Sequence, residues 1–412
     1  MSEKITYLLM VTPDNHNKYY KMIPSIPEPG KFTAEYGRVG AKGMTKIYSM
    51  QVWNSLYHQK IQKGYVDQTH LHDNVVTILQ DNGFAAIPNQ LVNDLMARLQ
   101  KYANDKISVS YKVTSQEVTS AMVSCAQHKL DELSDIKNIS EFNQKLLQLF
   151  SIIPRKMGNV SDYLAFDASD FNKIINREQN TLDVMRSSVN QKMKIYNSNK
   201  KLSHGNPDKT ILESLGLDIR PCNDMEIKEI KNLMQAESAP HFKQAFRVVN
   251  KETEEKFNTY IKKYHYKKSD VHLLFHGSRN ANCMGILSSG LKLNPKAVVT
   301  GKMFGYGIYF ATRAQKSINY SSLKLPYRTW VSDRSPTGFL LIFKVAYKKP
   351  LDVHFHQDKY FRYKYSDIQA DRCDALFAHK GTLYDSGFHL RNDEIIVYQE
   401  EQATIQYIIE LH

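Results

Sequence analysis

The stretch from Leu273 to Tyr320, LLFHGSRNANCMGILSSGLKLNPKAVVTGKMFGYGIYFATRAQKSINY, decides how this chain is read. The apolar run Val271-His272-Leu273-Leu274-Phe275 predicts a short buried strand. It ends on His276-Gly277-Ser278, where glycine lets a ligand come close enough for main-chain N–H and C=O groups to grip an amide. A second strand, Gly307-Ile308-Tyr309-Phe310-Ala311, follows the glycine-flanked turn Phe304-Gly305-Tyr306, and a helix-like segment then carries Lys316-Ser317-Ile318-Asn319-Tyr320. A third apolar strand, Glu394-Ile395-Ile396-Val397-Tyr398, begins on a carboxylate.

Taken singly, these residues have ordinary readings: a structural histidine, a core tyrosine, an exposed strand start. Together, in this order and spacing, HGS, GIYFA, KSxNY and E-x-I-V-Y resemble the catalytic domain of the poly(ADP-ribose) polymerases, over residues 210–412. The resemblance implies a His-Tyr-Glu triad of His276, Tyr309 and Glu394, and NAD as the substrate. His276 would bond the ribose next to nicotinamide, with Tyr309 against one face of the nicotinamide and Tyr320 on the other. The Gly277 backbone and the Ser317 hydroxyl would hold the carboxamide, and Ser278, Asn282 and Lys292 match positions touching the adenosine half. Lys316 matches a lysine beside the site, either orienting the acceptor or lying as a solvated charge.

Loss of nicotinamide from NAD leaves an oxocarbenium-like sugar, which a fixed carboxylate stabilises, as in glycoside hydrolysis. Glu394 fits that task, and as a general base on an acceptor ribose hydroxyl it favours polymer over single-unit transfer. Two alternatives stay open: a mono-ADP-ribosyltransferase, and a DNA-end-binding adaptor with a vestigial catalytic domain. Gly305-Tyr306-Gly307 is no dinucleotide motif, because no G-x-G-x-x-G joins a strand to a helix.

The chain has 412 residues, 42% of them hydrophobic, which suits several domains. No apolar run reaches the ~18 residues of a membrane span, and the N-terminus lacks a small-residue cleavage site, so neither membrane insertion nor secretion is expected. Cys125, Cys222, Cys283 and Cys373 form no C-x-x-C pair, so spacing argues for no metal and no disulfide framework. A formal net charge of +13 favours an anionic partner.

Up to His70 there are nine Lys and Arg against five Asp and Glu, with Lys18, Lys21, Arg38, Lys42 and Lys46 interleaved with Tyr19, Tyr20, Tyr36 and Tyr48. A strand, a Pro-rich loop at residues 23–30, a strand holding Tyr36-Gly37-Arg38, a strand from Thr45 to Met50 and a helix ending near Gly64-Tyr65 resemble a WGR domain. Tyrosine stands at the name-giving tryptophan, offering less surface for stacking on broken DNA. The resemblance makes Tyr36, Arg38, Lys42 and Lys18 candidate DNA contacts; for Arg38 the other role is a structural link to the catalytic half.

Between these regions apolar residues recur at helical spacing: Leu91, Leu95, Leu99 and Tyr102, then Met122, Ala126, Leu130 and Leu133. Thr114 with Glu117 reads as a capping box, and Pro154 closes a helix over Leu146 to Ile153. This block resembles the helical regulatory domain of DNA-damage-responsive polymerases. The polar stretch from Gln191 through Pro207 reads as a linker. The basic cluster Lys262 to Lys268 reads as a nuclear address, a nucleic-acid patch or a solvated loop.

The expected fold is therefore α+β and multi-domain. It comprises a WGR-like mixed-sheet domain (1–75), an all-α regulatory domain (88–190), a linker (191–209) and an α/β transferase domain with a split antiparallel sheet (210–412). The expected protein is a nuclear monomer, activated by DNA strand breaks, modifying acceptor proteins and itself, with no metal.

Overall fold

The computed structural model describes residues 5–72, 84–111, 118–200, 209–293, 295, 303–327, 329–331, 333–383 and 389–412. The Thr114–Glu117 capping box and most of the loop between Leu293 and Phe304 lie outside them. The chain divides into two compact units. One draws on Met1–Gln80 and Asn104–Val189, the other on Asp81–Ala103, Asn190–Pro295 and Thr300–His412.

In the first unit, β1 (Thr6–Val11), β2 (Asn17–Pro24), β3 (Lys31–Arg38), β4 (Met44–Ser49), helix α1 (Trp53–Gln62) and β5 (Val66–Asp67) form an antiparallel sheet in the order β4-β3-β2-β1-β5. Two strands, where one was expected, precede the Pro-rich loop, because Asn15 turns the chain at φ 61°. Alternation puts Leu8, Tyr20, Met22, Phe32 and Ala34 under α1, against Trp53, Leu56 and Ile61.

Four helices follow: α2 (Gln90–Ser110), α3 (Ser120–Leu133), α4 (Ile139–Phe150) and α5 (Asp170–Lys200). Thr119 caps α3, its hydroxyl accepting from Met122 N at 3.1 Å, and Met122, Ala126, Leu130 and Leu133 are buried as their spacing predicts. Arg155 and Glu178, each 3% exposed, form a bidentate pair among these helices, and Arg155 also donates to Tyr111 Oη at 2.7 Å. The stretch from Gln191 to Lys200 is not a turn-rich linker: α5 continues through it, with Ile195 buried.

The second unit adds α6 (Ile211–Leu215), β6 (Leu217–Pro221), α7 (Asp224–Ser238), β7 (Phe242–Asn250), α8 (Lys251–Lys263), β8 (Val271–Gly277), α9 (Asn280–Ser289), β9 (Ile308–Ala311), α10 (Ala314–Ile318), β10 (Gly338–Ala346), β11 (Pro350–Phe355), α11 (Tyr365–Ala370), β12 (Ala375–Leu383), β13 (Glu394–Val397) and β14 (Ala403–Leu411). The strands make one sheet, β11-β12-β13-β9-β8-β10-β14-β7-β6, antiparallel except for β11 with β12. β10 and β14 read as near-continuous apolar runs because both faces are covered. Leu341 and Phe343 enter one core, Leu340 and Ile342 the other.

The first core includes Val92, Leu95, Met96 and Leu99 of α2. Leu91, expected on that face, is 49% exposed, so the buried stripe is set one residue further along. Arg98 of the same helix grips Glu410, which is 0% exposed, with two bonds of 2.7 Å, and Lys243 and Gln244 complete its shell at 2.8 and 2.6 Å.

Candidate active site

The nine-stranded sheet is nearly divided between β8 and β9, which share a single register pair, Phe275 with Ala311. Beyond it the two strands share no further register pair. His276, at the end of β8, donates from Nδ1 to the Tyr309 carbonyl at 3.0 Å, which leaves Nε2 as the ring's acceptor. Burial pushes the His276 pKa below the ordinary histidine value, opposed by that bond, so the ring is neutral at pH 7.

Glycine is required at 277 because α10 crosses here: a Cβ would lie 1.8 Å from the Ser317 carbonyl oxygen. α10 thereby presents Lys316 and the buried Ser317 beside the end of β8. Lys316 forms an ion pair with Glu394, the first residue of β13, which is held opposite Ala311 on one side and Ala378 on the other. Burial draws the Lys316 pKa down to about 7, while Asp393 acts in the opposite direction. The Glu394 contact also favours the ammonium form.

The Tyr309 hydroxyl accepts from Phe304 N at 2.9 Å and donates to Gly305 O at 2.9 Å, so it clamps the turn that precedes its own strand. Gly305, at φ +77°, has no room for a side chain, since a Cβ would lie 2.0 Å from Tyr363 O. Tyr398 secures the same turn by donating to Phe304 O at 2.7 Å. Tyr320 follows α10, its N–H donating to Ser317 O at 3.0 Å, and its ring stacks on Trp330 at 6.4 Å between centroids.

The structure thus brings His276, Gly277, Tyr309, Lys316, Ser317 and Glu394 together through direct contacts and shared strand register. Ser278 accepts from Asn282 Nδ2 at 3.2 Å across the first turn of α9. Lys292 is engaged elsewhere, in a 2.7 Å ion pair with Glu400. In the other unit, Tyr36 stacks on Tyr20 at 5.5 Å, and Lys60 lies over both rings. Arg38 bonds Asn15 O and Oδ1 at 2.9 and 2.8 Å and the Met157 and Gly158 carbonyls at 3.0 and 2.6 Å. Its structural link therefore runs to the segment after α4. Lys42 is exposed and Lys18 half-buried.

Sequence reasoning missed Tyr398, Asp393 and Trp330. The first two flank or end the E-x-I-V-Y motif and were legible as its neighbours, but nothing in the sequence marks Trp330 as a partner of Tyr320. A neutral imidazole and a carboxylate with its cation, beside the glycine at 277, suit a ligand whose sugar develops positive charge.

Residues 224–412 match the family model described as the poly(ADP-ribose) polymerase catalytic domain. Among curated proteins, the chain is 32% identical over 197 residues to the 101L protein of Invertebrate iridescent virus 6, covering 46% of this chain and 81% of that protein. It is 33% identical over 162 residues to the poly [ADP-ribose] polymerase-like protein 100L of the same virus, covering 38% and 79%. With human poly [ADP-ribose] polymerase 2 the identity is 32% over 167 residues, covering 35% of this chain and 27% of that protein.

Proposed function

This chain belongs to the poly(ADP-ribose) polymerase family and is an NAD ADP-ribosyltransferase, and from that premise we propose that it builds polymer on acceptor proteins and on itself in response to DNA strand breaks. The observation that carries the polymerase reading is Glu394, a 9% exposed carboxylate at the start of β13 with Lys316 against it. A carboxylate held there serves both steps. It stabilises the sugar cation as neutral nicotinamide departs, and it accepts the proton of the acceptor ribose hydroxyl that attacks. His276 holds the nicotinamide ribose through its ring, Gly277 and Ser317 the carboxamide, and Tyr309 and Tyr320 the two faces of the nicotinamide.

The basic, tyrosine-rich N-terminal sheet is the proposed DNA-binding element, of WGR type, with Lys42 and Lys18 toward phosphates. The helical segment after it is the proposed regulatory element, and the nucleus the proposed location. Among the described residues no helix is long and apolar enough to cross a membrane.

The test is automodification with labelled NAD, with and without a nicked or blunt DNA duplex, beside Glu394→Gln. A DNA-dependent ladder that collapses in the variant is expected. A single band from the wild type would mean mono-transfer, and signal independent of DNA would remove the break response.

A further inference from the structure

The transferase unit carries a second charged surface where three turns meet at Asp374. Its carboxylate accepts from the Tyr266 hydroxyl at 2.9 Å and from the N–H groups of Lys348 and Lys349 at 2.9 and 3.0 Å, and its own N–H donates to Lys349 O at 3.0 Å. Asp270 accepts from Lys267 N at 2.7 Å, while the exposed Asp371, beside Arg372, accepts from the Tyr363 hydroxyl. Asp270 and Asp374 are thus turned onto the turns' own donors.

Among the lysines around them, Lys348 donates from Nζ to Tyr264 O at 2.7 Å. Lys262, Lys263, Lys267, Lys268, Lys348 and Lys349 are all exposed. Lys256 and Lys344 nearby pair with Glu252 and Glu254, whereas none of the six has an ion-pair partner among the described residues. Lys263 lies over the Tyr264 ring at 5.1 Å and Lys348 over Tyr266 at 4.6 Å. A helix dipole accounts for lysines at the end of α8, but not for the pair on the β10–β11 turn.

Backbone conformation supplies an independent observation. α8 and α11 both close with a bond reaching back five residues, Tyr266 N to Ile261 O at 2.9 Å and Cys373 N to Ile368 O at 3.0 Å. Each closure needs a left-handed residue, the position glycine usually fills. Here the residues are His265 and Arg372, both exposed and both at φ 55°. Two of the four described non-glycine residues with positive φ therefore border this one surface, and both have basic side chains. A left-handed backbone at residues that carry a Cβ is a pattern found where side chains have a task.

The geometry points to a nucleic-acid site on this face of the transferase unit, one that grips the phosphate backbone without reading sequence. Cations without ion-pair partners on the α8–β8 and β10–β11 turns, with Arg372 on the third, suit successive phosphates along a strand better than one compact anion, since the N–H groups of Lys267, Lys348 and Lys349 are already taken by Asp270 and Asp374. This site is independent of the DNA contacts proposed for the N-terminal sheet.

The test uses the full chain and a short fluorescein-labelled single-stranded DNA, followed by anisotropy across a salt series. The variant is Lys263→Gln/Lys267→Gln/Lys348→Gln/Lys349→Gln. Its control, with the same charge change elsewhere on the unit, is Lys228→Gln/Lys231→Gln/Lys324→Gln/Lys359→Gln. At about 0.7 in the log–log salt slope per phosphate contact, the patch variant loses roughly 2 to 3 from the slope and binds more than tenfold more weakly, while the control changes far less. Lys263→Gln/Lys349→Gln, which spares the Lys348 contacts, shows about half the slope change. Unchanged melting and NAD turnover certify the fold. Equal losses in patch and control, no loss in either, or no binding by the wild type would each overturn the site.

Discussion

Gly277→Ala tests the active-site geometry at its tightest point. A methyl group there would sit 1.8 Å from the Ser317 carbonyl oxygen and 2.6 Å from its carbon, both backbone atoms that cannot rotate aside. Ordinary contact begins near 3.4 Å, so α10 and the end of β8 must separate by roughly 1.5 Å. Overpacking of this kind costs about 1–3 kcal/mol, and with backbone as the obstacle the upper end applies. For a unit of this size that lowers Tm by roughly 6–12 °C. The same displacement carries Lys316 and Ser317 away from His276, and a shift of about 1 Å at a reacting centre costs roughly 100-fold in rate. Differential scanning calorimetry and kcat/KM for NAD read the two effects separately. A variant that melts within a degree of wild type and turns over NAD within twofold would refute the reasoning.

Four further outcomes are expected. Tyr309→Phe removes both bonds that clamp residues 304 and 305 and should raise KM for NAD several-fold, with a loss of about 1–2 kcal/mol read by urea denaturation. Arg98→Leu strips two of the four bonds from Glu410 and should cost roughly 2–4 kcal/mol at pH 7 by the same measurement. Burial raises the Glu410 pKa, but Arg98, Lys243 and Gln244 more than offset it and bring it down to about 2. Because the folded value is depressed, that contribution is present above the ordinary value near 4.5 and is lost as pH falls toward 2; a stability–pH curve of Arg98→Leu should be flatter in that window, and an unchanged slope would count against the assignment. Arg38→Ala should weaken DNA binding less than Lys42→Gln/Lys46→Gln while destabilising the N-terminal unit by about 1 kcal/mol, because its guanidinium is occupied by Asn15, Met157 and Gly158; anisotropy and thermal melts decide.

The strands that hold the site were legible as short apolar runs, although Leu273 in the first of them is 37% exposed. Val271 to Phe275, Ile308 to Ala311 and Ile395 to Val397 are apolar runs too short for helices, and their ends carry the polar residues that define the motifs. The near-division of the sheet was expected, but that β8 and β9 share a single register pair is a tertiary outcome that local sequence does not encode. Lys292 matched a motif position, yet its charge is drawn to Glu400, 108 residues away. Arg38 likewise finds carbonyls 119 and 120 residues downstream. The stretch after Gln191 looked like a linker because it is polar and basic, but lysine and glutamine are good helix formers, and Leu182, Met185 and Val189 extend to Ile195 as a buried stripe.

The Arg98–Glu410 grip and the apolar face of α2 bear on how such a transferase can be inherited or excised. The family match begins at residue 224, yet Val92, Leu95, Met96 and Leu99 belong to the core that covers β10 and β14. A fragment cut at the edge of the recognisable homology would bare that apolar strip to water and strand a carboxylate without its guanidinium. It would therefore be sticky in isolation and, with that carboxylate short of a partner, destabilised at neutral pH. The smallest heritable piece of this enzyme is larger than its signature: any chain that borrows the catalytic strands must bring residues 90–103 along or evolve another cover for them.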